Sequence, residues 1–563
     1  MVSVALGASA PGIDIIDDFC MRLNHQSVVK NGTLYIDGGV ETFSRHQKSR
    51  ILGYNTELIE VDMRTSWDWK LNISITTVNK TTNPQTGTEP PLVVRGALFS
   101  GPASDPNIYL YGGTTSFLNT SFPGFQPPAS PQYALWSYSV PDTKWDQYDV
   151  TLSVQYRPAG GAYAEAPDQG LAFYLNGLIN NGTSNRLAKI DNFERYLDGL
   201  IVIDMKSKSA TNVSTDSLRD SPRVKGGMTY LSNVGSSGVL VAVGGVTKPS
   251  SDSSDSNDGT YVTFDQIDFL DVSSLANDNS NGTWYAQKAS GDIPSGRTDF
   301  CLVSASAKDN SSHNIYMYGG KGANEAYDDI YVLSIPSFTW TKIYQGTSPR
   351  YGHTCHLVAN RQMLTVGGTT SSDLASYCDW EEKGVAIFDM STSGSSKWGS
   401  VYNAYAPAYQ VPDTVYKVIG GDADGNANMN TPEHGFNTPQ IANIFHQPMK
   451  SPTDAWESKD NSISGGAIAG AVVGSVAGAA AIFALVFFIL LRKKKQVAQR
   501  GAMAGTGSPD MSMGAVWRNR YGRAELPGKD GQTMPPAQLQ DDLGVHEMDG
   551  DPGRELPATS RED

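Results

Sequence analysis

Cysteine is scarce in this chain, with four residues among 563. A small fold held together mainly by disulfides is therefore excluded, because such scaffolds carry cysteine much more densely. Cys355 and Cys378 flank one glycine pair and are the candidate disulfide, if the domain is secreted. Cys20 and Cys301 belong to distant copies of the repeat described below, and we expect them to be unpaired buried thiols.

Positive charge is also in short supply, and the formal net charge is −15 at pH 7. A general nucleic-acid-binding role is excluded on this ground, because such proteins present a basic surface to the phosphates. The sequence also has no GxSxG, HExxH, Walker or dinucleotide-binding motif. We expect no nucleic-acid partner, no cofactor and no catalytic residues.

Charge is missing altogether from residues 461–491, a long apolar run. Its core, 465–491, would span roughly 40 Å as a helix, which is enough to cross a bilayer. Basic residues follow at once, from Arg492 to Lys495, as the positive-inside rule expects. We therefore predict a linker at 451–464, one transmembrane helix at 465–491 and a disordered cytoplasmic tail at 492–563 that could dock a cytosolic protein.

Four glycines recur at every fourth position of this run: Gly466, Gly470, Gly474 and Gly478. Such a stripe allows two helices to approach closely and predicts a homodimer through the membrane. The alternative is a span that is only apolar.

Asparagine sequons supply an independent signal for orientation. All eight lie before the apolar run: Asn31, Asn72, Asn79, Asn119, Asn181, Asn212, Asn281 and Asn310. A one-sided set predicts glycosylation outside the cell, and hence a plasma-membrane or cell-surface protein with its N-terminus outside. Residues 1–11 lack a basic start, so they are either a marginal signal peptide cleaved near Ala10 or the remnant of a signal whose true beginning is missing from the sequence, and we expect the second.

One motif recurs along residues 12–450, in which an apolar strand ends in a glycine pair. The copies are "LYIDGG" (34–39), "IYLYGG" (108–113), "VLVAVGG" (239–245), "IYMYGG" (315–320), "MLTVGG" (363–368) and "VYKVIGG" (415–421), with a degenerate "AFYLNG" (172–177). A second apolar strand follows most copies, and the last candidate for it is "IANIF" (441–445). Most units then reach a tryptophan such as Trp145 or Trp340.

An arginine precedes most copies of the glycine-pair strand. The set is Arg22, Arg95, Arg157, Arg223, Arg297 and Arg350. Each unit therefore predicts four short strands, and radial repetition of such units is typical of a β-propeller. The arginines either line a central channel, where they would bind an anion or a sugar, or form structural hydrogen bonds.

The segments "SPRYGHTCHLVANRQMLTVGG" and "NIYMYGGKGANEAYDDIYVLSIPSFTWTKI" resemble the kelch repeat of kelch and galactose-oxidase-type propellers. Propeller, membrane helix and tail together resemble the kelch-repeat single-pass membrane proteins of filamentous fungi. The resemblance implies an all-β fold of seven blades, or alternatively six. It also implies that the glycine pair turns the chain and that the tryptophan fills the wedge between blades. We expect "GIDIIDDF" (12–19) to close the ring as an outer strand.

Galactose oxidase carries copper, but its ligands cannot be matched here. His353 and His356 are three apart on a predicted strand and should point to opposite faces. The leading hypothesis is a non-enzymatic surface propeller that binds a cell-wall polysaccharide or a protein. The alternatives are an extracellular galactose-oxidase-like oxidoreductase and a cell polarity or adhesion marker that is localised by its tail.

Overall fold

The structure is a computed structural model, and it describes residues 13–446 apart from 45–50, 116–132, 151–156, 185–186, 189–193, 253–258, 277–281, 373, 375–376 and 393–397. The chain divides into two units, Met1–Asp460 and Asn461–Asp563. The second unit contains the predicted membrane helix, its four glycines and the tail, and all of these lie outside the described residues. No helix among the described residues is long and apolar enough to span a membrane.

Six antiparallel sheets of four strands follow one another along the first unit. The strands are given in order from the inside outward. Sheet 1 contains Gln26–Lys30, Thr33–Asp37, Glu57–Asp62 and Ile75–Asn79, and sheet 2 contains Ala97–Phe99, Asn107–Tyr111, Leu135–Ser139 and Lys144–Tyr148. Sheet 3 contains Ala162–Ala166, Leu171–Leu175, Leu200–Asp204 and Ser209–Val213. The glycine-pair strand is second in each sheet, as the repeat predicts.

Sheets 4 to 6 repeat this plan. Their strands are Gly227–Leu231, Val239–Val243, Gln266–Asp271 and Trp284–Lys288; Cys301–Ser306, His313–Tyr318, Asp329–Ile335 and Thr339–Gln345; Tyr351–Val358, Gln362–Thr369, Val385–Asp389 and Trp398–Gly399. Within each sheet the four strands follow in chain order, and sheet 6 is also extended by Phe19–Leu23, Val40–Phe43 and Ile51–Tyr54, which come from the other end of the described chain.

A closed circle of backbone hydrogen bonds joins the six sheets at one end of their inner strands. One residue per sheet takes part, each with φ between +54° and +68°: Asn24, Arg95, Gly160, Lys225, Asp299 and Gly352. Each backbone N–H donates to the carbonyl of the preceding member at 2.7–3.0 Å, and Asn24 closes the circle by donating to Gly352. We call these six residues the left-handed ring. Sheets 1 and 6 are therefore direct neighbours.

The glycine pairs form the next joint between sheets. Gly319 and Gly320 have φ of +66° and +100°, which confirms the predicted turn. The N–H of Gly320 donates to the carbonyl of Arg350 at 2.8 Å, at the entry to the next sheet. A Cβ on Gly319 would collide with that same carbonyl. Glycine is needed here for two reasons: the chain turns with a positive φ, and the backbone of the next sheet lies too close for a side chain.

Trp340 fills the seam between sheets 4 and 5. Its side chain is 1% exposed, and its indole N–H donates to the carbonyl of Phe264 at 3.0 Å. The rings of Trp340 and Phe264 meet edge to face at 5.8 Å. Trp398 contacts Tyr318 of the preceding sheet in a similar way, at 4.7 Å. The predicted packing of tryptophan between sheets is confirmed at these two seams.

Further short strands accompany the six four-stranded sheets, and some of them extend a sheet. They are Phe19–Leu23, Val40–Phe43, Ile51–Tyr54, Trp67–Asp68, Leu178–Asn180, Glu194–Tyr196, Arg223–Val224, Val246–Thr247, Thr260–Tyr261, Ser290–Gly291 and Val401–Tyr402. A 3-10 helix spans Val272–Leu275. Phe19–Leu23 pairs with Val40–Phe43 and meets sheet 6 at Gly368. The segment 13–18 is not a strand, so the outer strand predicted at 12–19 is wrong.

The seventh copy of the repeat forms helices instead of strands. The apolar part of its glycine-pair segment, 415–419, lies in the helix Asp413–Ile419, and "IANIF" lies in the helix Pro439–His446. Ile419 packs in the core beside Tyr316 and Ile330 of sheet 5, and Ile444 packs with the core of sheets 4 and 5. The strand prediction was wrong here because a short apolar run next to Gly-Gly fits a buried helix face equally well.

Both disulfides differ from the predicted pair. Cys20 bonds to Cys378 with a Cα–Cα distance of 4.5 Å, and Cys301 bonds to Cys355 with a Cα–Cα distance of 5.7 Å. The Cys355–Cys378 prediction and the two unpaired thiols are therefore wrong. Cys301 and Cys355 lie on neighbouring inner strands, whereas Cys20 joins the start of the chain to sheet 6. The prediction paired two cysteines of the same repeat because they are close in sequence, whereas each disulfide joins two different repeats.

Candidate functional site

The central cavity is the candidate site, because the inner strands of all six sheets line it. Its volume is about 350 Å³. Apolar side chains such as Leu98, Met228 and Leu302 alternate with polar ones such as Ser27 and Thr354 around the wall. A cavity of this size with a few convergent polar groups suits one small ligand or the tip of a larger one.

An ion pair crosses one end of the cavity. Arg95 of sheet 2 donates from a guanidinium nitrogen to the carboxylate of Asp299 of sheet 5. These residues stand three places apart in the left-handed ring, on opposite sides of its six-membered circle. Burial alone would raise the pKa of Asp299, but Arg95 and Lys225 hold it below its usual range. The mouth is therefore bridged by charges that neutralise each other.

A network of hydroxyl and imidazole groups occupies the seam between sheets 6 and 1, beside the cavity. Ser27 Oγ lies 2.7 Å from His356 Nε2 and 2.5 Å from Thr354 Oγ1. His25 Nε2 lies 3.0 Å from the same threonine hydroxyl. Burial lowers the pKa of His356 to about 4 and that of His25 well below its ordinary value, so both rings are neutral near pH 7.

His353 faces the other way, toward sheet 5. Its ring lies 5.0 Å from that of Tyr318, and burial lowers its pKa to about 3. The prediction that His353 and His356 point to opposite faces is confirmed. Among the residues that the structure describes, no group of three or more His, Cys, Asp or Glu side chains could hold a metal ion.

One carboxylate on the cavity wall is held by backbone donors. Glu165 accepts hydrogen bonds from the N–H of Ser100 at 2.8 Å and of Gly101 at 3.2 Å. Burial raises its pKa, and these donors act in the opposite direction. Both donors belong to sheet 2, so the side chain ties sheet 3 to its neighbour.

Five of the six arginines predicted near the channel are buried in the body of the protein. Their partners are Glu41 for Arg22, the Thr183 carbonyl for Arg157, Asp268 for Arg223, Asp329 for Arg297, and Asp379 with Glu381 for Arg350. None of these five lines the central cavity. The structural alternative given for these arginines is confirmed, and the channel-lining alternative is wrong for them.

Arg95 differs because it occupies another position in the repeat. Arg22, Arg223, Arg297 and Arg350 each stand two residues before a member of the left-handed ring, whereas Arg95 is itself a member. Val93 fills the position of the buried arginine in sheet 2. Arg95 was grouped with the other arginines because of its residue type, although it stands two residues later in the repeat than these four.

The left-handed ring was missed by the sequence analysis. No single residue type is common to all six members, and Asn24, Arg95 and Asp299 have little in common except a positive φ. Asparagine, aspartate and glycine tolerate that conformation best. The usable signals were these residue types, which four of the six members have, and the two-residue offset from a buried arginine, which also holds for four of the six.

The predicted sequons lie mainly on the surface. Five asparagines are exposed: Asn31, Asn72, Asn79, Asn212 and Asn310. Asn181 is half-buried, and Asn119 and Asn281 lie outside the described residues. The exposed positions leave room for a glycan.

Comparison with known proteins gives a clear relative by sequence and weak likeness to solved structures. No family model matches the chain. A kelch repeat-containing protein of Arthroderma benhamiae is 29% identical over 480 residues, which cover 74% of this chain and 65% of that protein. A solved structure described as that of YjhT has 13% identity and a TM-score of 0.44, covering 69% of this chain and all of its own.

The six sheets, the glycine-pair joints and the buried arginines support a kelch-type β-propeller. The relative carries kelch repeats by name, and this chain spans about two thirds of its length.

Proposed function

We propose that this chain is a non-enzymatic binding propeller of six blades, which presents its outer surface to a protein or a cell-wall polysaccharide. The blades are the six sheets, closed by the left-handed ring. The relative's kelch repeats support an interaction role, because repeat folds of this kind present extended surfaces to partners.

The observation that carries this proposal is how the polar groups at the cavity are used. Arg95 is paired with Asp299 across the mouth, and Glu165 accepts two backbone N–H groups. Ser27 and His356 are bonded into the network that joins sheets 6 and 1. Groups that hold the ring together are poorly suited to exchange protons with a substrate, which favours recognition over catalysis.

The extracellular placement is part of the same proposal. All four cysteines are bonded in two disulfides, and such bonds persist in oxidising compartments. Five exposed sequons agree with a glycosylated outer domain. We further propose that residues 465–491 cross the membrane, that their glycine stripe permits a homodimer and that the tail faces the cytoplasm.

The experiment is a binding screen of the purified full-length chain in detergent, against a glycan array and against surface proteins after crosslinking. The same preparation is analysed for copper and for sugar-dependent peroxide. We expect saturable binding to a glycan or a protein and no turnover. Stoichiometric copper together with peroxide production would replace this proposal with the oxidoreductase alternative.

A further inference from the structure

Four side chains in the seam between sheets 6 and 1 form one continuous series of hydrogen bonds. The series runs from His25 Nε2 to Thr354 Oγ1, then to Ser27 Oγ and then to His356 Nε2, with separations of 3.0, 2.5 and 2.7 Å. We call these four side chains the seam network. Burial lowers the pKa of both histidines, so near pH 7 each ring is neutral and carries a single N–H proton.

The two ends of the seam network differ in the surroundings of the second ring nitrogen. His25 Nδ1 is sealed from solvent and has no hydrogen-bond partner among the described residues. His356 Nδ1 also has no partner in the described part of the chain, but it is not sealed, and His356 lines the central cavity. A proton on His25 Nδ1 would be a buried donor without an acceptor, which is costly. The proton of His25 therefore belongs on Nε2.

The His25 proton sets the direction of the other bonds. His25 Nε2–H donates to the Thr354 hydroxyl, which donates to Ser27. Ser27 donates in turn to His356 Nε2, and each bond in such a series strengthens the next. If His356 Nε2 donated instead, the Thr354 proton would have no acceptor among the described residues. His356 Nε2 is thus an acceptor, its proton lies on Nδ1, and the seam network presents an N–H donor to the cavity.

The rest of the cavity wall limits the kind of molecule that this donor can meet. Apolar side chains line the cavity from three other sheets, namely Leu98, Met228 and Leu302. The charged side chains of the wall are two cations and two acids, so their formal charges cancel: Arg95, Lys225, Glu165 and Asp299. An ionic ligand would add an unbalanced charge here, whereas a neutral ligand would not. A neutral molecule with an acceptor oxygen and a hydrocarbon part fits this wall.

We infer that the central cavity binds a small neutral molecule whose carbonyl or hydroxyl oxygen accepts the Nδ1–H of His356. Its hydrocarbon part packs on the apolar side chains of the wall, and the cavity volume of about 350 Å³ limits its size. Ser27 and Thr354 are positioning residues, because they fix the tautomer of His356. This site is separate from the outer surface assigned above to a protein or a polysaccharide, so it goes beyond the proposed function.

The test measures the tautomer of His356 and the affinity for cyclohexanone, both on the full-length chain in detergent. Cyclohexanone presents one carbonyl oxygen on a hydrocarbon ring, and micelles without protein supply the blank. Nitrogen-15 NMR of histidine-labelled protein distinguishes the two ring nitrogens, and His356→Gln assigns the resonances. We expect the proton on Nδ1, with a saturable shift of that resonance when cyclohexanone is added.

Variants of the seam network separate the tautomer from the general stability of the fold. Ser27→Ala removes the donor to His356 Nε2, so the proton is no longer held on Nδ1 and the affinity for cyclohexanone should fall about three- to tenfold. Thr354→Val interrupts the series one bond earlier and should lower the affinity less. Thr365→Val is the matched control, because it removes a buried hydroxyl of sheet 6 that bonds the Ala386 carbonyl outside the seam network. It should retain the wild-type tautomer and affinity.

Four results would overturn the inference. The first is a proton on Nε2 of His356 in the wild type, and the second is the absence of saturable binding of cyclohexanone. The third is binding that Ser27→Ala leaves unchanged. The fourth is an equal loss of affinity in Thr365→Val and Ser27→Ala, because general weakening of sheet 6 would then be the cause. These measurements involve no glycan and no protein partner, so each result leaves the proposed surface binding standing.

Discussion

Arg95 and Asp299 pair across the mouth of the central cavity, from sheets that stand on opposite sides of the ring. Both residues belong to the left-handed ring, so the same two residues contribute backbone hydrogen bonds around the circle and an ion pair through its middle. The ion pair therefore connects sheets on opposite sides of the ring, whereas the backbone hydrogen bonds connect only neighbouring sheets.

Removing one partner of this pair should destabilise the fold. Arg95→Gln leaves the Asp299 carboxylate in a partly buried place without its guanidinium, and we expect a loss of about 1–3 kcal/mol in the free energy of unfolding. The loss is smaller than for a fully buried pair because the Arg95 side chain is 23% exposed. Urea denaturation at pH 7 measures it.

The double variant Arg95→Gln/Asp299→Asn should recover part of that loss, because no charge is then left unpaired. Arg64→Gln removes an exposed partner of Asp62 and is the control, with no change expected. A loss at Arg95 no larger than that at Arg64 would show that the bridge across the mouth contributes nothing.

The two disulfides should differ in their contribution. Cys20–Cys378 spans 358 residues and Cys301–Cys355 spans 54. Loop entropy then makes loss of the first bond costlier by on the order of 1.5 kcal/mol. The measurement compares the unfolding of Cys20→Ser/Cys378→Ser with that of Cys301→Ser/Cys355→Ser. Equal losses, or the reverse order, would contradict the expected entropic difference.

Substitution of Gly319 should destabilise the fold for two separate reasons. Gly319→Ala places a Cβ against the Arg350 carbonyl and forces alanine to a φ of +66°. We expect a loss of about 2 kcal/mol or more beyond that of Gly87→Ala. Gly87 has a φ of +70° with nothing within 4 Å of the added atom, so it isolates the backbone strain. Similar thermal midpoints for the two variants would show that the inter-sheet contact is unimportant.

His313 should make the protein less stable in mild acid. Burial lowers its pKa to about 4, whereas the unfolded chain binds a proton near 6.5. Between these values the unfolded state holds more protons, so the free energy of unfolding falls as the pH falls. The contribution amounts to about 3 kcal/mol at most when the pH reaches 4.

The variant His313→Gln isolates this contribution. Urea titrations at pH 7 and pH 5 should show a smaller acid loss in the variant than in the wild type. A parallel loss in both proteins would mean that His313 is not protonated on unfolding in this range. The other buried histidines remain in both proteins and cancel in the comparison.

The repeat was readable from sequence because it rests on residue types with few substitutes. Glycine at 319 and 320 and tryptophan at 340 are required by a close backbone contact and a large wedge, so both patterns predicted their structural roles correctly. The helix at Asp413–Ile419 was not readable, since tertiary packing decides the state of a seven-residue apolar run.

The features of the candidate site depend on contacts between repeats. Cys20–Cys378 and Arg95–Asp299 join residues 358 and 204 positions apart, and no local pattern specifies such pairs.

The non-enzymatic binding function is tested most directly by assaying a single preparation of the full-length chain in parallel for ligand binding and for oxidation of sugars. We expect saturable binding to a glycan or protein ligand that survives treatment with a metal chelator, with no peroxide produced. Peroxide that forms with sugar and disappears with the chelator would contradict it.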